Sequence, residues 1–436
     1  MLDATHDPNL RSFVDSANDP ETDFPLQNLP FCTFRRDGGA PEVGVALGDR
    51  LVSLGALAAA GKLPGIVADF SGSLSTTLRA LGLAGVRALR PVLQQLYRDV
   101  SSSREAAEAA LVPAAECALE LPISPRSYTD FYASIHHATT VGTMFRPDAP
   151  LLPNYKHVPI GYHGRASSVV VSGAPVRRPL GQTKADDAPA PSFGPSKMLD
   201  WELEVACVVG EGNALGQPVP IGDADGRTLG LVLLNDWSAR DLQRWEYQPL
   251  GPFLATSFAT TISPFVVTYD ALAPFRTTRS VRPEGDPAPL PYLDDPRDRA
   301  EGAFDLTLEV WLSTEAMRQR GLPPARVSRG SFADMYWTFA QMLAHHTSNG
   351  CNLEPGDLLG SGTVSNLAPD ARGCLLELTW DGPGKPRRPV TLPNGESRTF
   401  LQDGDEVVFR ASASREGHRR IGFGECKGII LPAHTA

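Results

Sequence analysis

What the chain lacks narrows the field first. None of its apolar runs approaches the roughly 18 residues that a bilayer-crossing helix needs, so no membrane partner is expected. The opening stretch MLDATHDPNLRSF has neither a basic flank nor an apolar segment, so a secretory signal is not expected there. The six cysteines (Cys32, Cys117, Cys207, Cys351, Cys374, Cys426) form no C-x-x-C pair. That argues against a zinc or disulfide framework and for reduced thiols in a cytoplasmic protein. There is no phosphate-binding P-loop, no G-x-S-x-G elbow and no H-E-x-x-H. The run GEGNALG at residues 210–216 has the wrong spacing for a dinucleotide site, and Gln217-Pro218-Val219-Pro220 stands where such a site needs a helix. Basic excess is also missing: 40 Lys and Arg face 50 Asp and Glu, a formal net charge of -10. Nucleic acid is therefore not expected as a partner, whereas a small anion could still find a local basic pocket.

What remains is a chain of 436 residues, 42% hydrophobic and 21% charged, long enough for two domains and a large core. Its 40 glycines and 39 prolines favour many turns and short strands over a helical bundle. Strands are expected at residues 31–35 and 43–54, with Gly48-Asp49 as a turn. Helices follow at 56–61, 76–83, 85–99 and 102–111, the third with Leu89, Val92, Leu93 and Leu96 on one face. Prolines 113, 122 and 125 then interrupt the chain, which places a domain boundary near residue 122. Beyond it, short apolar runs at 167–172, 202–209, 229–234, 265–268, 304–312, 375–380, 406–410 and 427–431 read as strands. Two helices break the series. One starts at Ser238 with Asp241 as its cap pair; the other spans 331–347, with Ser331 and Asp334 at its start and Asn349-Gly350 as its stop. Residues 276–302, rich in proline and charge, read as a surface excursion. The expected class is a β-rich α+β protein, divided into residues 1–122 and 123–436.

Residues 199–247 carry the first chemical signal. In Trp201-Glu202-Leu203-Glu204-Val205 a strand places Glu202 and Glu204 on one face, about 6–7 Å apart. Two carboxylates on an apolar strand repel each other unless a cation lies between them. A third, Asp236, ends the next apolar run. Surface glutamates and an acidic helix cap would leave the same pattern. Farther on, Arg240, Gln243 and Tyr247 share one helix face, suited either to an oxyanion or to solvent. The segment YTDFYASIHHATTVGTMFR holds an acid (Asp130), a base candidate (His137), an anion holder (Arg146) and a donor (Tyr132). Glu377 alternates into its apolar run and faces either a site or solvent. His345 and His346 end a helix and read as structural. His163 stays ambiguous.

The chain resembles the fumarylacetoacetase family. The matching stretches run in one order along it: FPLQNLP at 24–30, YTDFY at 128–132, GYHGRASSVVVSG at 161–173, NDWSARD at 235–241, WEYQPLGPF at 245–253, NGCNLEPGDLL at 349–359 and IGFG at 421–424. The resemblance implies a small N-terminal β-barrel domain and a mixed β-sandwich roll that carries the site and forms a homodimer. It implies hydrolysis of the C–C bond of fumarylacetoacetate, a dicarboxylate β-diketo acid, in tyrosine and phenylalanine catabolism. It also implies calcium or magnesium held by Asp130, Glu202, Glu204 and Asp236, an all-oxygen set suited to hard cations. Thr260 matches a threonine at a second, weaker cation position. His137, not His136, matches the general base, and Glu377 the acid that orients it. Arg240 and Gln243 match the groups that stabilise the leaving carbanion. Tyr132, Arg146, Tyr162, Gln243, Tyr247 and Thr363 match substrate contacts. No organic cofactor is implied.

One position departs from the family pattern. In residues 254–261, LATSFATT, Thr256 stands where the family usually has a lysine. A hydroxyl donates a hydrogen bond there but brings no charge. The departure admits a related diketo-acid hydrolase or decarboxylase with a shifted substrate. A third reading, from another class, is a non-catalytic metal-binding relic. The retained His137 and Glu377 count against that one.

Overall fold

The computed structural model describes residues 2–36 and 38–435. The first sheet has five antiparallel strands in the order Leu111–Pro113, Arg50–Ser53, Glu42–Leu47, Phe31–Arg36, Cys117–Glu120. Its two edge strands are joined by the single turn Ala114–Glu116, so the sheet curls until its edges nearly meet. The turn at Gly48 has φ 58°, a conformation that glycine adopts without strain. The expected helices at 76–83 and 85–99 are two halves of Leu74–Tyr97, broken at Gly82 (φ 69°, ψ 167°). Leu89, Leu93 and Leu96 are buried on its inner face.

The larger part of the chain is organised on a mixed eight-stranded sheet. Its main path runs Gly161–His163, Tyr128–Phe131, Leu358–Gly360, Leu203–Val209, Thr228–Asp236, Thr260–Ile262, Val169–Val171, and Val267–Thr268 pairs beside Thr228–Asp236. The two central strands are buried throughout. Alternation sends Leu203, Val205, Cys207, Leu231 and Leu233 into one core, shared with the second sheet. Ala206, Val208, Val232 and Leu234 face the other core, shared with the N-terminal sheet and the Leu74–Tyr97 helix. The second sheet is five-stranded, in the order Ala325–Ser331, Thr307–Ser313, Glu406–Ala413, Ile421–Leu431, Val176–Arg177. The result is a sheet-rich α+β protein whose central sheet is covered on both faces.

Several expectations are corrected. Glu202 is not on the strand, which begins at Leu203. The helix near Ser238 begins at Arg240 instead, because Ser238–Ala239 pairs as a short strand with Leu199–Asp200. Asp241 is not its cap partner; its carboxylate accepts the Ser196 hydroxyl and the Lys197 amide. The helix expected at 331–347 is only Phe339–Thr347, capped by Thr338 and Gln341, since Ser331 still belongs to a strand. The excursion at 276–302 is tied down by its buried Leu293 and by Asp298, which holds Arg279 at 2.8 Å and Thr338 at 2.6 Å. Among the described residues no helix is long and apolar enough to cross a membrane.

Arg90 is an interior group that a hydrophobic pattern cannot announce. It is buried and donates to the carbonyls of Asn28 (2.9 Å) and Gln27 (2.5 Å), which pins the segment before the first strand. Arg90→Met should cost about 3 kcal/mol in chemical denaturation, because those carbonyls lose a charged donor where water cannot replace it.

Candidate active site

Three strands bring carboxylates to one face of the large sheet. Asp130 lies two residues beyond Tyr128, Glu204 two before Ala206, and Asp236 two beyond Leu234. Those apolar neighbours all pack into the core shared with the N-terminal sheet. Side-chain alternation therefore points the three acids the same way. The strand Leu358–Gly360 runs between those of Asp130 and Glu204 and places Gly360 opposite Asp130. A Cβ at Gly360 would stand 2.9 Å from Asp130 Oδ1 and 3.1 Å from Glu204 Oε2, so only glycine leaves this space to the acids. Glu202, just ahead of its strand, is set by its amide, which donates to Asn235 Oδ1 at 3.1 Å. One oxygen from each of Asp130, Glu202 and Asp236 falls within 4.8 Å of the others.

All four acids are buried. Their partners are few: the Gly362 amide on Glu204 (3.0 Å), the Tyr162 hydroxyl (2.9 Å) and Thr260 hydroxyl (2.8 Å) on Asp236, and Arg240 on Glu202 (2.6 Å). Asp130 Oδ1 and Glu204 Oε1 have no hydrogen-bond partner. Burial, then the charge of Glu202, pushes Asp130 up to about 7. Burial, then the charge of Asp130, holds Glu204 and Asp236 well above the usual carboxylate range. One guanidinium against four carboxylates leaves a charge deficit. An all-oxygen donor set with unfilled acceptors fits a hard divalent cation.

A second group lies beside the first. After Asp130 the chain turns into the helix Ile135–Phe145, capped by Ser134, with His137 in its first turn. His137 Nδ1 meets Glu377 Oε2 at 2.6 Å across 240 residues of sequence. Glu377 is not on a strand as expected; it sits in the short helix Leu375–Leu378. That turn forms because Asp200 accepts the otherwise unpaired amides of Leu375 (2.8 Å) and Leu376 (2.9 Å). Glu377 also accepts the Ser365 hydroxyl at 2.6 Å. Burial alone would raise its pKa, but His137 and Ser365 outweigh burial and hold it down to about 2. A carboxylate only accepts, so Nδ1 carries a proton, and in the neutral ring the lone pair is at Nε2.

Other residues surround the two groups. Tyr132 packs edge-on against His137, with ring centroids 5.2 Å apart. Burial raises its hydroxyl pKa, and the charges of Glu377 and Glu202 raise it further, so it stands between the two groups. Arg240 reaches Gln243 Oε1 at 3.2 Å as well as Glu202. Thr363 directly follows Gly362 and is buried with its hydroxyl unpartnered. Arg146 closes the His137 helix, donates to the Pro150 carbonyl at 3.1 Å and has a buried, unpartnered Nε. Tyr247 closes the Arg240 helix, 6.2 Å from the ring of Phe145, so the two helix ends meet. Thr256 is buried beside Tyr162. Three other histidines lie apart from the His137–Glu377 pair. His163 is exposed; His346 bonds Thr129 Oγ1 at 2.8 Å and His345 the Tyr292 hydroxyl at 3.0 Å.

Sequence reasoning missed Asp200, Gly360 and Ser365. Asp200 had a signal, since it extends the every-second-residue acid pattern of Glu202 and Glu204. Gly360 and Ser365 had none, because their partners are distant in sequence.

Two family models match the chain: "Fumarylacetoacetase N-terminal" over residues 27–122 and "Fumarylacetoacetate (FAA) hydrolase C-terminal" over residues 126–430. A fumarylacetoacetase of Bos taurus is 48% identical over 97% of this chain and 99% of its own. That of Homo sapiens is 46% identical with the same coverage. Among solved structures, one described as a putative HpcE protein from Mycobacterium smegmatis shares the fold, with TM-score 0.50 and 20% identity over 92% of this chain and 99% of its own.

Two outcomes test this geometry. Gly360→Ala should weaken any divalent-cation binding at these acids by about tenfold or more in calorimetry, since its methyl group intrudes on two of them. Glu377 has a folded-state pKa below its unfolded value, so its contribution to stability is full above about 4.5 and lost as pH falls toward about 2. Glu377→Gln should therefore lower stability at pH 7 and flatten its decline over that window, read by denaturant titration at several pH values.

Proposed function

The chain belongs to the fumarylacetoacetase family, and we propose on that footing that it hydrolyses a C–C bond of 4-fumarylacetoacetate to fumarate and acetoacetate. This is the closing step of tyrosine and phenylalanine breakdown. The observation that carries the reading is the buried His137–Glu377 pair, 2.6 Å apart, beside a cluster of four buried acids. In this reading residues 1–122 form the N-terminal unit and 123–436 the catalytic unit of a cytoplasmic homodimer.

Asp130, Glu202, Glu204 and Asp236 would hold the divalent cation, with calcium or magnesium the ions of matching hardness, and Thr260 would line a second, weaker position. When bound, that cation supplies Lewis-acid polarisation of the diketone oxygens. His137 Nε2 takes a proton from water while Glu377 holds the ring and stabilises its positive charge. The hydroxide oxygen bonds to the carbonyl carbon, and the adjacent C–C bond breaks with its electron pair leaving as an enolate. Arg240, with Gln243, faces that developing charge. The enolate carbon then takes a proton, which balances the one removed from water. Arg146, Tyr132, Tyr162, Tyr247 and Thr363 orient the substrate and its carboxylates. The ketone is its own electron sink, so no organic cofactor is required.

A related diketo acid is the second reading, favoured by Thr256, which is buried and uncharged where the family usually has lysine. His137→Ala should lower kcat about a thousandfold and leave the fold intact, followed by loss of the diketone's absorbance. Near-wild-type turnover would remove His137 from the base role. Thr256→Lys should raise kcat on fumarylacetoacetate; a fall there, with better turnover of other diketo acids by the parent chain, would favour the second reading.

A further inference from the structure

Asp200 is among the most enclosed charged groups in the chain, and nothing in the mechanism so far uses it. It is fully buried, and both its oxygens are saturated by donors from two separate directions. Oδ2 accepts Arg240 Nε at 3.0 Å and the Leu376 amide at 2.9 Å. Oδ1 accepts the Leu375 amide at 2.8 Å and the Trp201 amide at 2.9 Å. Arg240 is the residue that also grips Glu202 at 2.6 Å. Leu375 and Leu376 open the turn that carries Glu377, whose carboxylate holds His137. A single carboxylate thus touches both the arm of the cation cluster and the base of the histidine pair.

Charge gives the contact a second meaning. Arg240 is buried between Asp200 and Glu202, so its positive charge is divided between two acids. Without Asp200 the guanidinium would bear on Glu202 alone and offset part of the negative charge that draws a cation to the cluster. Asparagine cannot take over. Its NH2 group only donates, and in one orientation it would face the Arg240 Nε–H and the Leu376 N–H, in the other the Leu375 and Trp201 N–H groups, all of which also donate.

We propose that Asp200 is a positioning residue: it is the counter-ion that keeps Arg240 from weakening the cation cluster, and the anchor that sets Glu377 against His137. The proposal rests on the roles given above to the four acids and to His137–Glu377. The test uses the full chain and its Asp200→Asn and Asp200→Glu variants. Calcium affinity is read by calorimetry on the resting protein, kcat and KM by turnover of fumarylacetoacetate, and folding by thermal melting. Asp200→Asn should weaken calcium binding about tenfold or more and lower kcat at least as far, with KM within about twofold. Asp200→Glu, which restores the charge but displaces the anchor by one methylene, should recover most of the calcium affinity but not kcat. A group that merely stabilised the fold would shift the melting temperature and leave calcium affinity and the kcat-to-KM split unchanged, and that result would overturn the proposal. Should Asp200→Asn fail to fold, Asp200→Glu decides alone: lowered kcat with calcium affinity kept supports the proposal, and any other pattern overturns it. A parent chain that binds no calcium would instead sink the cation reading itself.

Discussion

Four like charges buried against one another are the constraint that the rest of this structure answers. Asp130, Glu202, Glu204 and Asp236 are each removed from water, and burial dominates the rise in pKa of three of them. A fold tolerates such a cluster only if its geometry is held from outside, since the acids themselves push apart. Here the holding is done by strands. Three acids ride on strands of one β-sheet whose apolar side chains are locked into a continuous core. Gly360 gives up its side chain so that two of them can lie close.

The same economy governs the neighbouring pair. His137 lies in the first turn after the Asp130 strand, so placing one largely places the other. Glu377 comes from far along the chain and needs its own supports, which are Ser365 on its carboxylate and Asp200 on its helix amides. The site is thus built on elements fixed from several sides rather than on free loops, as a constellation that must hold its geometry requires. The N-terminal sheet and long helix share in this, because they cover the sheet face toward which the acids point.

Much of this was legible in the residues. Four strands of the central sheet, Val169–Val171, Leu203–Val209, Thr228–Asp236 and Val267–Thr268, follow from short apolar runs, and the turn at Gly48 from glycine, whereas the break in the long helix falls at Gly82, inside a stretch expected to be helical. Alternation alone marked Glu202 and Glu204 as a pair, and a run ending in Asn-Asp marked Asp236. Helix starts were read less well. Ser238 and Ser331 have the composition of caps, yet both are drawn into strands, because a pairing partner offers the backbone hydrogen bonds that a cap would only begin to supply. Glu377 read as strand because its neighbours are apolar and alternate; Asp200, 175 residues upstream of Leu375, turns it into a helix by accepting that turn's free amides.

By itself the sequence singled out side chains suited to chemistry and put Glu204 on a strand, Asp236 at the end of one, and Arg240 and Gln243 on a helix, since periodicity, turn chemistry and side-chain type are properties of neighbouring residues. The resemblance already implied that Glu377 orients His137; only the tertiary structure put the two in contact, stood Glu202 off its strand and joined the two groups through Asp200. Those pairings span 240, 33 and up to 176 residues, distances at which no local pattern carries information and only packing brings the partners together.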